Sequence, residues 1–88
     1  MSLEDIENMR KRLIFRSGHR GTKEMDLLMG SFAQKYVPGF NEDELREYHD
    51  LLENNDPDLY SWITGQEDPP AEVAAYSMFP KVLGYKYA

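Results

Sequence analysis

Met25, Leu28, Met29, Phe32, Ala33 and Tyr36 recur at i, i+3, i+4, i+7, i+8 and i+11. That spacing paints one side of a helix with apolar side chains over about three turns. No segment of the chain alternates apolar and polar residues long enough to make a half-buried strand. The pattern therefore predicts an all-α fold: a single bundle of about five short helices, joined by connections of the length usual in bundles. Gly30 interrupts the stripe at a cost of about 1 kcal/mol relative to alanine, which predicts close approach of a neighbouring helix there.

The remaining helices follow from caps and breakers. Ser2 caps a first helix with acids in its opening turn (Glu4, Asp5), apolar residues Leu3, Ile6, Met9 and Leu13, and bases toward its end. Ser17-Gly18 stops it, and the second helix begins near Thr22 and ends at Pro38-Gly39. Asn41 with Glu44 three residues on reads as a capping box, and Phe40 with Leu45 as a hydrophobic staple. Leu45, Tyr48, Leu51 and Leu52 then face inward. Asp56-Pro57 reads as N-cap and first residue of a fourth helix, with Leu59, Trp62 and Ile63 inward and Gly65 just past its end. A fifth runs from about Ala71 to Phe79, where Pro80 ends or kinks it. Residues 1–80 form the domain. Residues 81–88 form a tail whose Val82, Leu83, Tyr85 and Tyr87 are suited either to dock or to stay mobile.

Size and charge narrow the function. With 88 residues the chain holds one core, which buries roughly 60–65% of the unfolded surface and leaves about 4–13 kcal/mol of stability. The absence of cysteine excludes disulfides, thiolate metal sites and a cysteine nucleophile, and favours a reducing compartment. The net charge of −6 argues against a nucleic-acid binder. The charge is uneven: residues 1–40 carry seven Lys or Arg against five acids, whereas residues 41–72 carry Arg46 alone against eleven. Such a dipolar surface suits steering of one protein onto another. Uncharged runs stop at eight residues, too short for a membrane helix or a secretory signal. Glu4, Asp5 and Glu7 are out of keeping with a mitochondrial leader, so the expected setting is the bacterial cytoplasm, or a mature form after processing.

The segment Gly18-His19-Arg20-Gly21-Thr22-Lys23-Glu24 joins the two best-defined helices. Its two glycines provide backbone freedom and little side-chain cover. Arg20 is a planar fork for carboxylate or phosphate, and Glu24 an acceptor. Glu24 and Asp26 sit where the helix dipole favours negative charge. The alternative is an ordinary Arg20–Glu24 surface pair, worth about 0–1 kcal/mol. His49 and Glu53 are spaced to share a metal, but a third ligand is wanting, so no metal site is expected. His19 lacks the nucleophile and orienting group that a general base needs, and no catalytic residue is assigned. Tyr60 or Trp62 reads either as core or as an interface anchor.

Leu13-Ile14-Phe15-Arg16-Ser17 followed by Arg20-Gly21-Thr22-Lys23-Glu24 resembles the SdhE family of succinate dehydrogenase assembly factors, whose signature is Arg-Gly-x-x-Glu. Asp26, Phe32-Ala33 and the block Asn55-Asp56-Pro57-Asp58-Leu59-Tyr60-Ser61-Trp62 extend the likeness over roughly residues 10–70. Gly18 departs from the larger residue common there, and the tail matches less well. The resemblance implies a five-helix, non-enzymatic factor, expected as a monomer. It would bind the flavoprotein subunit of succinate dehydrogenase, with the homologous subunit of fumarate reductase as a further client, and promote covalent attachment of FAD to that subunit. The partner-binding residues it implies are Arg20, Gly21, Glu24, Asp26, Arg16 and His19. FAD would be acted on in the client and not held stably by this chain. The competing readings are a helical adaptor unrelated to flavin and a small DNA-binding regulator using Arg10 to Lys23.

Overall fold

A computed structural model describes residues 2–86. Six α-helices follow one another: α1 (Leu3–Ser17), α2 (Lys23–Tyr36), α3 (Glu42–Leu52), α4 (Asp56–Ile63), α5 (Ala71–Ala74) and α6 (Phe79–Val82), with a 3-10 turn at Val37–Gly39 after α2. Among the described residues there is no strand, and no helix is long and apolar enough to cross a membrane.

The caps explain most of the boundaries. Ser2 Oγ accepts from the Asp5 amide at 3.2 Å, and Thr22 Oγ1 from the Met25 amide at 3.2 Å. Asn41 and Glu44 form both halves of the capping box, at 2.9 and 3.0 Å. Each cap satisfies an amide that the first turn of a helix leaves without a partner. The first turn of α4 departs from expectation. Asn55, not Asp56, is its N-cap, with Asn55 Oδ1 accepting from the Asp58 amide at 2.9 Å. Asp56 therefore becomes the first helical residue, and its carboxylate is left for other partners.

The stripe of α2 is buried as its spacing predicts, apart from half-buried Tyr36. It packs with Leu13 of α1, Leu45, Tyr48, Leu51 and Leu52 of α3, and Leu59, Trp62 and Ile63 of α4. Phe32, Phe40 and Tyr48 form the aromatic centre, with Phe32–Tyr48 ring centroids 5.7 Å apart and Phe40–Tyr48 5.9 Å. Gly30 lies against α1: a β-carbon there would stand 3.3 Å from Gly18 Cα, so the two glycines let the helices approach. Leu3 departs from the stripe of α1 and is 82% exposed, because the helix runs past the core at that end.

The fifth helix is divided. Glu47 of α3 accepts from the Ser77 amide at 3.2 Å and from Ser77 Oγ at 2.6 Å, which draws the chain out of the helical path after Ala74. Helix then resumes at Phe79. Pro80 stands in the first turn of α6, where a missing N–H leaves no intrahelical bond unmade, so it starts a helix instead of ending one. Part of the expected tail is docked. Val82 is buried, the Gly84 amide donates to the Ile63 carbonyl (2.8 Å), and Tyr85 Oη donates to Ser31 Oγ (3.0 Å) with its ring edge-on to Phe32. Gly84 makes that return with φ +77°, a value that favours glycine. Tyr87 lies outside the described residues.

Candidate functional site

The α1–α2 loop is held by two carboxylates from different helices. Asp26 of α2 accepts from the Arg20 amide through Oδ1. Asp56 of α4 accepts from Arg20 Nε at 2.7 Å through Oδ1 and from the Gly21 amide at 2.8 Å through Oδ2. The rest of the guanidinium closes the end of α3: Nη1 donates to the Leu52 carbonyl and Nη2 to the Asn54 carbonyl, both at 2.8 Å. The Leu52 carbonyl is among the acceptors that a helix C-terminus leaves without intrahelical donors, and the Asn54 carbonyl lies just past the C-cap Glu53. Asp56, in the first turn of α4, also sits where the helix dipole stabilises its charge. The side chains of Arg20 and Asp56 are only 11% and 14% exposed.

Arg20 therefore does not project a free fork toward solvent, as its place in an exposed loop had implied, and it does not pair with Glu24. Its donors tie the loop to α3 and α4. Gly21 has an ordinary backbone angle; among the described residues only Gly65 and Gly84 have positive φ. The reason for glycine here is space, since a β-carbon on Gly21 would stand 3.2 Å from Asp56 Oδ2.

Two clefts flank this knot, with Asp56 on the border of both. One, of about 380 Å³, is lined by Arg16, His19, Arg20, Gly21, Asn55 and Asp56. Arg16 there pairs with Glu53 at 3.1 Å, and His19 Nδ1 donates to the Phe15 carbonyl at 2.7 Å. The other, of about 180 Å³, is lined by Thr22, Glu24, Met25, Asp56, Pro57 and Tyr60. Glu24 is exposed and stands beside the Tyr60 hydroxyl; hydrogen bonding to its carboxylate, then its charge, raises the Tyr60 phenol above the ordinary tyrosine value. The structure thus gathers Arg16, His19, Arg20 and Gly21 on one side, places Asp26 behind the loop, and puts Glu24 on the other side. Trp62 belongs to the core, whereas Tyr60 is half-exposed beside Glu24.

Under the loop lies a buried polar pair. Ser17 Oγ donates to the Leu13 carbonyl at 2.7 Å, so the Tyr48 hydroxyl, 2.6 Å away, donates to Ser17. Burial pushes the Tyr48 phenol well above its ordinary value, against smaller opposing effects of Ser17 and Arg20.

Asp56 is the site residue that sequence reasoning missed. Its partners lie 35 and 36 residues away, and nothing local announces them. Two signals pointed to it: the doublet Asn55-Asp56, which presents two cap residues where a helix uses one, and the place of Asp56 in the block that extends the family likeness.

A family model described as flavinator of succinate dehydrogenase matches residues 11–86. The chain belongs to that family. Curated relatives agree with the assignment. The chain is 41% identical over 70 residues to a Dictyostelium discoideum protein named succinate dehydrogenase assembly factor 2, mitochondrial, covering 80% of this chain and 50% of that one. It is 45% identical over 65 residues to the Debaryomyces hansenii protein of the same name (74% and 46%), and 48% over 61 residues to that of Saccharomyces cerevisiae (69% and 38%). The chain thus spans half or less of the length of these relatives. The flavinator match takes in the whole Arg20–Asp56 knot and both clefts.

Proposed function

We propose that this chain is an assembly factor that binds the flavoprotein subunit of succinate dehydrogenase and promotes covalent attachment of FAD to it. The observation that carries the reading is the Arg20–Asp56 knot. It presets the Gly21 backbone and the start of α2 in one conformation, with the exposed Glu24 carboxylate at its edge. A docking edge fixed in advance loses little entropy on binding.

In this reading Gly21 and Glu24 meet the client, and Arg20, Asp26 and Asp56 hold them in place. Gly21 permits close backbone approach, and Glu24 accepts a charge-assisted hydrogen bond. The factor contributes by holding the client's reacting groups in a productive arrangement, which lowers a barrier without a nucleophile or base of its own. FAD stays with the client. Both guanidinium groups lining the larger cleft, Arg16 and Arg20, are already paired with Glu53 and Asp56, so a diphosphate would find neither of them free.

Capture of the purified flavoprotein subunit on immobilised factor tests the docking step. Wild type is expected to retain the client and folded Glu24→Ala to retain much less; equal retention of client by both would remove Glu24 from the interface.

A further inference from the structure

Phe15 sits on α1, two positions off the helix's buried stripe, and is 63% exposed. Its ring stacks on His19, with centroids 4.0 Å apart and planes inclined by 16°. The bond from His19 Nδ1 to the Phe15 carbonyl locks the histidine over the ring, so the pair forms a rigid, solvent-facing platform. Lys11 and Arg12 precede Phe15 by four and three residues, which places them beside it on the same side of the helix.

The bases of α1 divide into two sets. Arg10 is turned inward: it pairs with Glu7 and donates to the Val37 and Phe40 carbonyls. Arg16 pairs with Glu53. Lys11 and Arg12 are exposed and make no ion pair among the described residues. An exposed aromatic stacked on a hydrogen-bonded histidine and rimmed by cations that make no ion pair among the described residues has the make-up of an interface anchor with a steering rim. His19 also lines the cleft beside Arg20 and Gly21, so the platform is continuous with the proposed docking edge.

We infer that the Lys11–Arg12–Phe15–His19 face of α1 is a second part of the docking surface, and that it takes an acidic patch of the flavoprotein client with an apolar recess for the Phe15 ring. The inference rests on the docking reading above. Charge selects the occupant. A second copy of this chain would offer the acids of α3 and its C-cap Glu53, but four of those are engaged within the chain: Glu42 with Arg46, Glu44 with the Asn41 amide, Glu47 with Ser77 and Glu53 with Arg16.

The test is association of full-length factor with purified flavoprotein subunit, followed by surface plasmon resonance at 50 and 500 mM salt, alongside sedimentation of the factor alone. The variants are Lys11→Glu/Arg12→Glu, Phe15→Ala and Glu24→Ala, each checked for helical circular dichroism. The charge reversal should slow association about ten-fold at low salt, with the difference shrinking at high salt. Phe15→Ala should speed dissociation about ten-fold. If Glu24→Ala weakens binding while both α1 variants match wild type, the α1 face is overturned and the docking edge stands. If wild-type factor does not bind the client at all, the docking reading falls and takes this inference with it. If the factor self-associates and the charge reversal abolishes that while leaving client binding intact, the face belongs to a second copy and the inference is overturned.

Discussion

Arg20 Nε and Asp56 Oδ1 meet at 2.7 Å across 36 residues of chain, and through them the α1–α2 loop, the end of α3 and the start of α4 become one unit. Removing one partner strands a nearly buried charge. Asp56→Ala should therefore lower stability by about 3 kcal/mol and the melting temperature by on the order of 15 °C. Arg20→Lys keeps the charge but loses the planar fork that reaches Asp56, Leu52 and Asn54 together, and should fall between wild type and Asp56→Ala. Urea unfolding followed by circular dichroism measures both. Wild-type stability in Asp56→Ala would show that the knot does not hold the fold.

Gly21 should be coupled to Asp56. A β-carbon at Gly21 presses on Asp56 Oδ2, so Gly21→Ala should cost about 1 kcal/mol in the wild-type background and close to nothing in Asp56→Ala. A double-mutant cycle of unfolding free energies reads the coupling directly; strict additivity would mean that glycine is there for another reason.

Glu24 should separate stability from function. It is exposed, so Glu24→Ala should change stability by less than about 0.5 kcal/mol while weakening client binding. Glu24→Gln replaces the carboxylate whose hydrogen bonding, and then charge, raises the Tyr60 phenol, so Tyr60 should titrate at lower pH in that variant. NMR of labelled tyrosine over an alkaline titration reports this, and an unmoved Tyr60 curve would place Glu24 elsewhere.

Much of this architecture was legible because it is local. The stripe from Met25 to Phe32, the capping box at Asn41–Glu44 and the inward residues of α3 and α4 depend on neighbours within a turn or two, and each is found as its spacing predicts. The Arg-Gly-x-x-Glu segment was expected to join the first two helices, and it does. What it could not convey is that Arg20 faces inward, because Asp56 and the Leu52 and Asn54 carbonyls arrive from a distant part of the chain. The break between α5 and α6 was hidden for the same reason, since Glu47 competes for the Ser77 amide across 30 residues. Phe15 had a local signal that helical periodicity tends to discard: an aromatic off the buried stripe.

Tyr48 should set the alkaline limit of the fold. Its phenol is pushed up by burial, so the native state holds that proton more tightly than the unfolded chain, whose tyrosines titrate near pH 10. The stability this provides is fully present below about pH 10 and is lost as pH rises toward the folded value. Tyr48→Phe should reduce stability by about 1 kcal/mol at pH 7 through loss of the bond to Ser17, yet make unfolding less steep above pH 10. Equal alkaline slopes for the two proteins would assign the limit to other groups.

The most direct test of the account is covalent flavin in the client. The flavoprotein subunit of succinate dehydrogenase is produced with wild-type factor, with Glu24→Ala, with Gly21→Arg, or with none, and then denatured and resolved on a gel to read flavin fluorescence in its band. The account predicts a strong band only with wild type, provided that both variants are shown to be folded. Bands of equal strength in all four lanes would contradict it.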